Sequence, residues 1–424
     1  MKNILNFLVQ VNRLKEMPRT GWVLREVKNP ETIADHLFRI AVASWLLGRK
    51  KNLNLKKIIK IALSHDLCEV YAGDIPPFFY YLDLPKEKKK KKEFLRKWVR
   101  LSKKEKEKMG KVKTDREKKS LLRLIKYLTP EQKQDIFSSW LDYEKMISKE
   151  GKFVRQVDKI ETLLQAIEYF GTKKDSLASS WWEECEEIVE DKLLLNFLKV
   201  IQKKFYRRGL KREENEKDLE NILNFLLEIG KLKRLPRLYW VLRGVENPET
   251  VAGHIFTLTL MAWIFGKETG LNSEKLLKMA LCHEISAVYT GDTTPYDRIL
   301  PKDSQKRKEI LKRMIRLSIE KKEKISFKNY QEEKKTIEKL TLKLEPALRN
   351  EIIRLWEEYR TKSTSEGYFL SQLNVLAVLL QALLYEQKDK NFFVAPVWEW
   401  ALETVDHPLV LKLLREMKKK FYAQ

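Results

Sequence analysis

Trp22-Val23-Leu24-Arg25 and Asn29-Pro30-Glu31-Thr32, with His36 four residues on, are written a second time as Trp240-Val241-Leu242-Arg243, Asn247-Pro248-Glu249-Thr250 and His254. The same shift of 218 residues carries His65 onto His283 and Gly73-Asp74 onto Gly291-Asp292. The chain has 424 residues and only five histidines, so four of the five occupy matched places. A repeat of about half the chain is a duplicated domain and not a solenoid, whose units are far shorter. Later landmarks match at a shift of 216: Trp140 with Trp356, Gln165-Ala166 with Gln381-Ala382, Phe205-Tyr206 with Phe421-Tyr422. A net loss of two residues in the second copy therefore falls between Pro77 and Trp140 in first-copy numbering. The copies are expected over residues 1–208 and 219–424, joined by the charged stretch Arg207–Asp218.

Each copy is long enough to bury its own core. A hydrophobic content of 43% with 10% aromatics argues against disorder despite 34% charged residues. Gly and Pro are scarce, at 14 and 13, which suits long helices more than strands and tight turns. Met1-Lys2-Asn3-Ile4-Leu5 opens no long apolar segment, and no uninterrupted apolar run reaches membrane-spanning length, so no membrane partner is expected. Cys68, Cys185 and Cys282 are odd in number and lack pairing spacing, as expected of reduced thiols in a cytoplasmic protein.

Net charge is +25, and the segment Lys86–Lys119 alone carries 18 Lys/Arg against 6 Asp/Glu. Such an excess makes nucleic acid a possible partner. The interrupting glutamates and the shortage of aromatics for base stacking suit an ordinary solvated helix face equally well.

The apolar spacing predicts all-α copies. Residues 2–15 place Ile4, Leu5, Leu8 and Val11 on one face. Asn29-Pro30 is expected to cap and open a second helix running to Leu47, and Asn54 a third running to about Tyr71. Further helices are expected over about 87–109, 114–128, 130–148, 152–170 and 188–206.

On these helices His36, His65, Asp66 and Asp158 offer two imidazoles and two carboxylates. That mixed nitrogen and oxygen set suits one divalent transition ion, Mn, Co, Fe, Ni or Zn. Glu69, three residues past Asp66 on the expected third helix, would place a further carboxylate beside it. Taken singly, each residue has an ordinary alternative, such as a hydrogen-bonded core histidine or an ion-pair partner.

Taken together, Leu14, Pro18-Arg19-Thr20-Gly21-Trp22-Val23-Leu24-Arg25, Asn29 to His36, Ala62-Leu63-Ser64-His65-Asp66-Leu67-Cys68-Glu69 and Gly73-Asp74-Ile75-Pro76 resemble the HD-domain phosphohydrolases, in particular their 5'-deoxynucleotidase branch. Phe153 to Ala166 resembles the branch's last metal-binding helix. The resemblance covers most of the first copy apart from about Phe94 to Asp115. It implies that His36, His65, Asp66 and Asp158 hold the metal and that Glu69 positions or activates the attacking water. It further implies that Arg19 binds the phosphate, in preference to Arg25, that Trp22 walls the sugar pocket, and that Asp74 contacts the sugar. Relatives of this kind are commonly dimers, which implies that the two copies pack as an intramolecular pseudo-dimer.

The second copy departs at the chemistry. His254 and His283 stay, but Asp66 is answered by Glu284, Asp158 by Asn374, Glu69 by Ala287 and Asp35 by Gly253. The extra methylene of Glu284 displaces its carboxylate by roughly 1.5 Å, against a tolerance in coordination distance of about 0.2 Å. Arg237, Trp240 and Asp292 keep the places of Arg19, Trp22 and Asp74. The expectation is a metal-dependent phosphomonoesterase acting on (deoxy)nucleoside 5'-monophosphates in the first copy. The second copy is expected to be degenerate and without metal, retained for nucleotide binding, regulation or packing. A phosphohydrolase of larger nucleotides or nucleic acid, and a non-catalytic nucleotide- or RNA-binding protein, stand as alternatives.

Overall fold

Apolar residues three and four apart, with few glycines or prolines between them, leave helix as the way to pair the backbone while burying one face. The computed structural model describes residues 1–76, 85–96, 103–172, 177–206, 216–294, 299–313 and 315–422. Among them there is no strand, only two isolated bridges, Pro18↔Thr32 and its repeat Pro236↔Thr250. The first copy runs α1 (Lys2–Val11), α2 (Thr20–Val23), α3 (Ile33–Arg49), α4 (Leu55–Ser64), α5 (Glu69–Ala72), α6 (Lys88–Arg96), α7 (Lys103–Ile125), α8 (Pro130–Lys145), α9 (Lys149–Phe170), α10 (Ser179–Ile188) and α11 (Lys192–Phe205). The second runs α12 (Lys217–Gly230), α13 (Leu238–Leu242), α14 (Val251–Gly266), α15 (Ser273–Cys282), α16 (Ala287–Thr290), α17 (Ser304–Leu311), α18 (Ile319–Thr341), α19 (Pro346–Thr361), α20 (Ser365–Lys388), α21 (Ala395–Thr404) and α22 (Pro408–Tyr422). The chain is all-α, as its composition requires.

Contacts divide the chain into two compact units, residues 16–227 and residues 1–15 with 228–424. The division does not follow the repeat boundaries. The opening helix of the first copy, α1, is counted with the second copy, where it meets α22 and Asn6 accepts from Lys420. Most of α12 is counted with the first copy, where Asp218 pairs with Lys50 and Asn224 accepts from Lys204. Of the charged connection 207–218, residues 207–215 lie outside the described residues, as do Pro77 and residues 97–102 of the basic segment.

In the 16–227 unit the core is built around α3, buried at every residue from Ile33 to Gly48. It packs on α4 and α9, and α8 closes over both of those. Phe38, Trp45, Ile59, Leu163 and Trp140 fill the centre at 0 to 1% exposure, each contributing about 1.5–3 kcal/mol of transfer free energy. The other unit repeats the plan with α14 on α15 and α20, and α19 over both. One close approach is shared: a Cβ on Gly151 would lie 2.4 Å from the Asp142 carbonyl oxygen, and one on Gly367 2.2 Å from that of Glu358.

Several elements differ from expectation. α3 does not open at Asn29-Pro30. Asn29 is left-handed at φ 54°, and Thr32 caps the helix in a reciprocal box with Asp35, because a Thr with Asp three residues on satisfies two orphan amides at once. The third helix is interrupted. α4 ends at Ser64, a tight turn carries His65 to Cys68, and Glu69 opens α5. The basic residues from 103 to 125 form one helix, and α10 was not foreseen. In the second copy α20 is long and apolar enough to cross a membrane, with a mean hydropathy of 1.6, contrary to the expectation that no segment would qualify. That expectation counted unbroken runs only. Of the apolar window of α20, 78% is buried.

Candidate metal centre

Three local structures bring the expected ligands together in the 16–227 unit. His36 lies in the first turns of the buried α3, His65 is the C-cap of α4, and Asp158 is midway along α9. Across the break between α4 and α5, His65 and Asp66 reach the same interior point, and the buried Glu69 lies within electrostatic reach of Asp66. His36 Nε2 lies 3.2 Å from Asp158 Oδ1 and 3.9 Å from Asp66 Oδ2, and His65 Nε2 lies 3.4 Å from Asp66 Oδ2. The two imidazoles are 5.7 Å apart between centroids.

The tautomers are set from behind. His65 Nδ1 donates to the Ala62 carbonyl at 2.8 Å, and His36 Nδ1 faces Glu161 Oε2 at 2.5 Å. This turns both Nε2 atoms inward, buried and without a hydrogen-bond partner, as the atoms a cation would take. Buried polar nitrogens are rarely left unsatisfied. With Asp66 they place three ligand atoms within 4.8 Å of one another. Two unpartnered imidazole nitrogens and two carboxylates therefore fit a borderline divalent cation. Asp158 Oδ2 is held by the Tyr143 hydroxyl at 2.6 Å, with Lys159 at 3.3 Å, so its Oδ1 faces the cluster.

Burial penalises every charge here, and the neighbours decide which survive. At Asp66, burial is outweighed by His65 and Arg19, which hold the carboxyl well below the usual carboxylate range. At Asp158, Lys159 and His36 do the same. Burial and the Arg19 guanidinium work against the His36 imidazolium, yet Glu161 and Asp158 hold its pKa up at about 9. Glu69 goes the other way. It is 2% exposed, its Oε2 has no partner, and burial together with Asp66 and Asp74 pushes its pKa well up.

Arg19, the residue before α2, donates from Nη1 to Asp66 Oδ2 at 2.7 Å. Arg25 does not join the cluster. Its guanidinium stacks 4.1 Å over Trp181 and donates to the Gly21 and Leu95 carbonyls. Asp74 follows Gly73, whose φ of 77° favours glycine, and accepts from the Thr20 amide at 2.6 Å. It thereby pins the segment that carries Arg19. Trp22 is 1% exposed, donates from Nε1 to Glu31 at 2.8 Å and packs 4.7 Å from Trp181. Sequence reasoning missed Glu161, Tyr143, Lys159 and Trp181. Glu161 was within reach, since it sits three residues past Asp158 and so on the same face of α9.

The matching place in the second unit also brings ligand atoms of His254, His283 and Glu284 within 4.8 Å of one another, and His283 Nε2 is likewise buried without a partner, but hydrogen bonds and ion pairs engage the other groups. His254 Nε2 donates to Asn374 Oδ1 at 2.8 Å, and Asn374 donates to the Tyr359 hydroxyl at 3.0 Å. Glu284 pairs with Arg237 at 3.0 Å, and Asp292 with the same guanidinium at 3.2 Å. Ala287 offers no carboxylate where Glu69 stands. Trp240 donates to Glu249 at 2.8 Å, as Trp22 does to Glu31. Burial, with nothing anionic strong enough to oppose it, drops the His283 pKa to about 4 and lowers that of His254 well below its ordinary value. Lys15 reaches Glu249 at 2.6 Å and also bonds Gln381. Its stem runs where a Cβ on Gly253 would come within 3.3 Å, so the glycine that replaces Asp35 makes room for it.

A family model for the HD domain matches residues 11–197 and again 229–400, once per copy. The chain belongs to the HD-domain family of metal-dependent phosphohydrolases. Among similar proteins, 5'-deoxynucleotidase HDDC2 of Bos taurus is 34% identical over 40% of this chain and 68% of its own length. 5'-deoxynucleotidase hdd1 of Schizosaccharomyces pombe is 31% identical over 42% of this chain and 80% of its own length. A conserved hypothetical protein of Pyrococcus furiosus superposes with a TM-score of 0.33 at 27% identity, over 46% of this chain and 97% of its own.

Proposed function

We propose that the first copy, residues 1–208, hydrolyses (deoxy)nucleoside 5'-monophosphates to nucleoside and phosphate, and that the second, residues 219–424, is a degenerate partner without metal. The observation that carries the reading is the pair of buried, unpartnered Nε2 atoms of His36 and His65 converging with Asp66, where in the second copy His283 Nε2 is unpartnered but His254 Nε2 is engaged by Asn374. The names of the relatives above support the substrate class. His36, His65, Asp66 and Asp158 would hold a divalent ion, which supplies the charge to polarise a phosphoryl oxygen and to acidify water.

The chain's own residues supply the rest. Glu69 takes the proton of the attacking water at Oε2, and burial together with Asp66 and Asp74 strengthens its hold on that proton. Arg19 presents a planar fork to the terminal phosphate. Water oxygen bonds to phosphorus, the bond from phosphorus to the 5'-oxygen breaks, and that oxygen leaves with a proton. Asp74 keeps Arg19 in place through the Thr20 amide and is the candidate for the sugar hydroxyl, while Trp22 and Trp181 wall the sugar end. The exposed Lys88, Lys89, Lys90 and Lys92 on α6 favour a secondary role in drawing in longer anions such as nucleic acid. The duplication supports an intramolecular pseudo-dimer, and the three reduced thiols, all buried, support a cytoplasmic setting.

The test is phosphate release from a panel of 5'-dNMPs and 5'-NMPs with Mn²⁺, Co²⁺ or EDTA. Release that requires metal and favours mononucleotides over oligonucleotides supports the reading. No release from any monophosphate would contradict it.

A further inference from the structure

Behind His36 lies a buried charge network that the proposed reaction does not itself use. Glu161 is 1% exposed, and its Oε2 faces His36 Nδ1 at 2.5 Å. Its other oxygen accepts from Arg39 Nε at 2.7 Å. Arg39 is fully buried and spends its remaining donors on both oxygens of Glu168, at 2.9 and 3.0 Å, and on Gln165 Oε1 at 3.0 Å. Glu161 is thus compensated, oriented and unable to swing away. A buried carboxylate without such a partner would be strongly destabilising.

We infer that Glu161, locked by Arg39, is the positioning residue that fixes the tautomer and direction of His36 for a divalent cation. The inference rests on the metal-centre reading and deepens it. A carboxylate accepting from Nδ1–H leaves the lone pair on Nε2, pointing at Asp66 and Asp158, and raises the basicity of that nitrogen. His65 has only a neutral carbonyl, that of Ala62, in the same role. The two imidazoles are therefore supported unequally, and His36 is the one that depends on a charged device.

The second copy works as an internal control. At the places of Arg39, Glu161 and Glu168 it has Thr257, Ala377 and Leu384, while Gln165 survives as Gln381. The histidine on the equivalent helix then takes the opposite tautomer. His254 Nε2 carries the proton and donates it to Asn374. Its Nδ1 has only Glu249, at 3.9 Å and already engaged by Lys15 and Trp240. With the device removed, the ring has turned its lone pair away from the site.

The experiment is a titration of the full-length chain with Co²⁺ against a competing chelator, for wild type and Glu161→Gln, with the ligand-field absorption bands and far-ultraviolet circular dichroism recorded on the same samples. The expected result is a 10- to 100-fold loss of Co²⁺ affinity with altered bands and an unchanged helical spectrum. Affinity within twofold of wild type and identical bands would overturn the inference. Should Glu161→Gln not fold, the Zn²⁺-loaded wild type decides by proton NMR. A far-downfield, slowly exchanging His36 Nδ1 proton is expected, and its absence would overturn the inference. Co²⁺ binding that weakens in Glu161→Gln supports it even if no mononucleotide is hydrolysed. A wild type that binds no Co²⁺ overturns both it and the metal-centre reading.

Discussion

α9 and α20 occupy the same place in the two copies and read as the same helix with its charges edited. Where α9 carries Arg155, Asp158, Lys159, Glu161 and Glu168, α20 carries Ser371, Asn374, Val375, Ala377 and Leu384. The apolar positions that face the core survive, as Val154 and Leu370, Val157 and Leu373, and Leu164 and Leu380, all buried. α20 is consequently long and apolar enough to cross a membrane, although 78% of its apolar window is buried. Burial of apolar surface keeps the fold in both copies, while the buried charges of α9 surround the candidate centre of the first copy and have no counterpart on α20. Buried ion networks add little net stability, so losing the whole set together leaves a sound helix. Losing one member alone would strand a charge.

The largest break in the comparison should come from Asp158→Asn, which writes the second copy's residue into the first. Removing one carboxylate ligand and leaving Tyr143 and Lys159 around a neutral amide should cut Co²⁺ affinity at least 100-fold, as read by chelator competition. The next effect belongs to the second unit. Lys15→Met removes the cation from Glu249 where both side chains are 2 to 3% exposed. It should lower stability to urea by about 3 kcal/mol, and a change under 1 kcal/mol would show that Glu249 is satisfied without it.

The pH dependence of the second unit follows from its depressed histidine. His283 stays neutral when folded, with a pKa of about 4 set by burial, against about 6.5 unfolded. The unfolded chain thus binds the extra proton between those values. Stability is present above pH 6.5 and is lost as pH falls toward 4, by on the order of 3 kcal/mol. Melting temperatures of wild type and His283→Gln should diverge at neutral pH and converge toward pH 4. Where the copies agree, mutations should agree as well. Gly151→Ala and Gly367→Ala each drive a Cβ into a neighbouring carbonyl, and each should cost about 1–3 kcal/mol. The smallest effect is expected at the exposed pair Lys50 and Asp218, where Lys50→Ala should change stability by under about 0.5 kcal/mol.

How much was legible in the sequence depended on whether a residue's role is local. The duplication, the all-α class and the pairing of His36 with His65 could be read from spacing, because scarce residue types at matched offsets leave few other arrangements, whereas Asp66 and Asp158, replaced in the second copy, were joined to them by the family resemblance. The start of α3 could not, since Asn29-Pro30 and Thr32-x-x-Asp35 are both valid openings and only the Pro18↔Thr32 bridge favours the second. The break after Ser64 was hidden because no glycine or proline marks it. The choice of Arg19 over Arg25 came from resemblance, and the structure supplies the physical reason: Arg25 is committed to Trp181. Glu161 shared a helix face with Asp158 and was legible to that extent, but its place behind His36 shows only once the helix that faces it is known.

The central claim is that one chain carries one competent centre, in the first copy. Metal-dependent phosphate release from a 5'-dNMP should be measured for wild type, Asp66→Ala and Glu284→Ala under identical conditions. The account predicts release that disappears in Asp66→Ala and persists at wild-type rate in Glu284→Ala. Loss of release in Glu284→Ala with Asp66→Ala still active would place the chemistry in the other copy and contradict it.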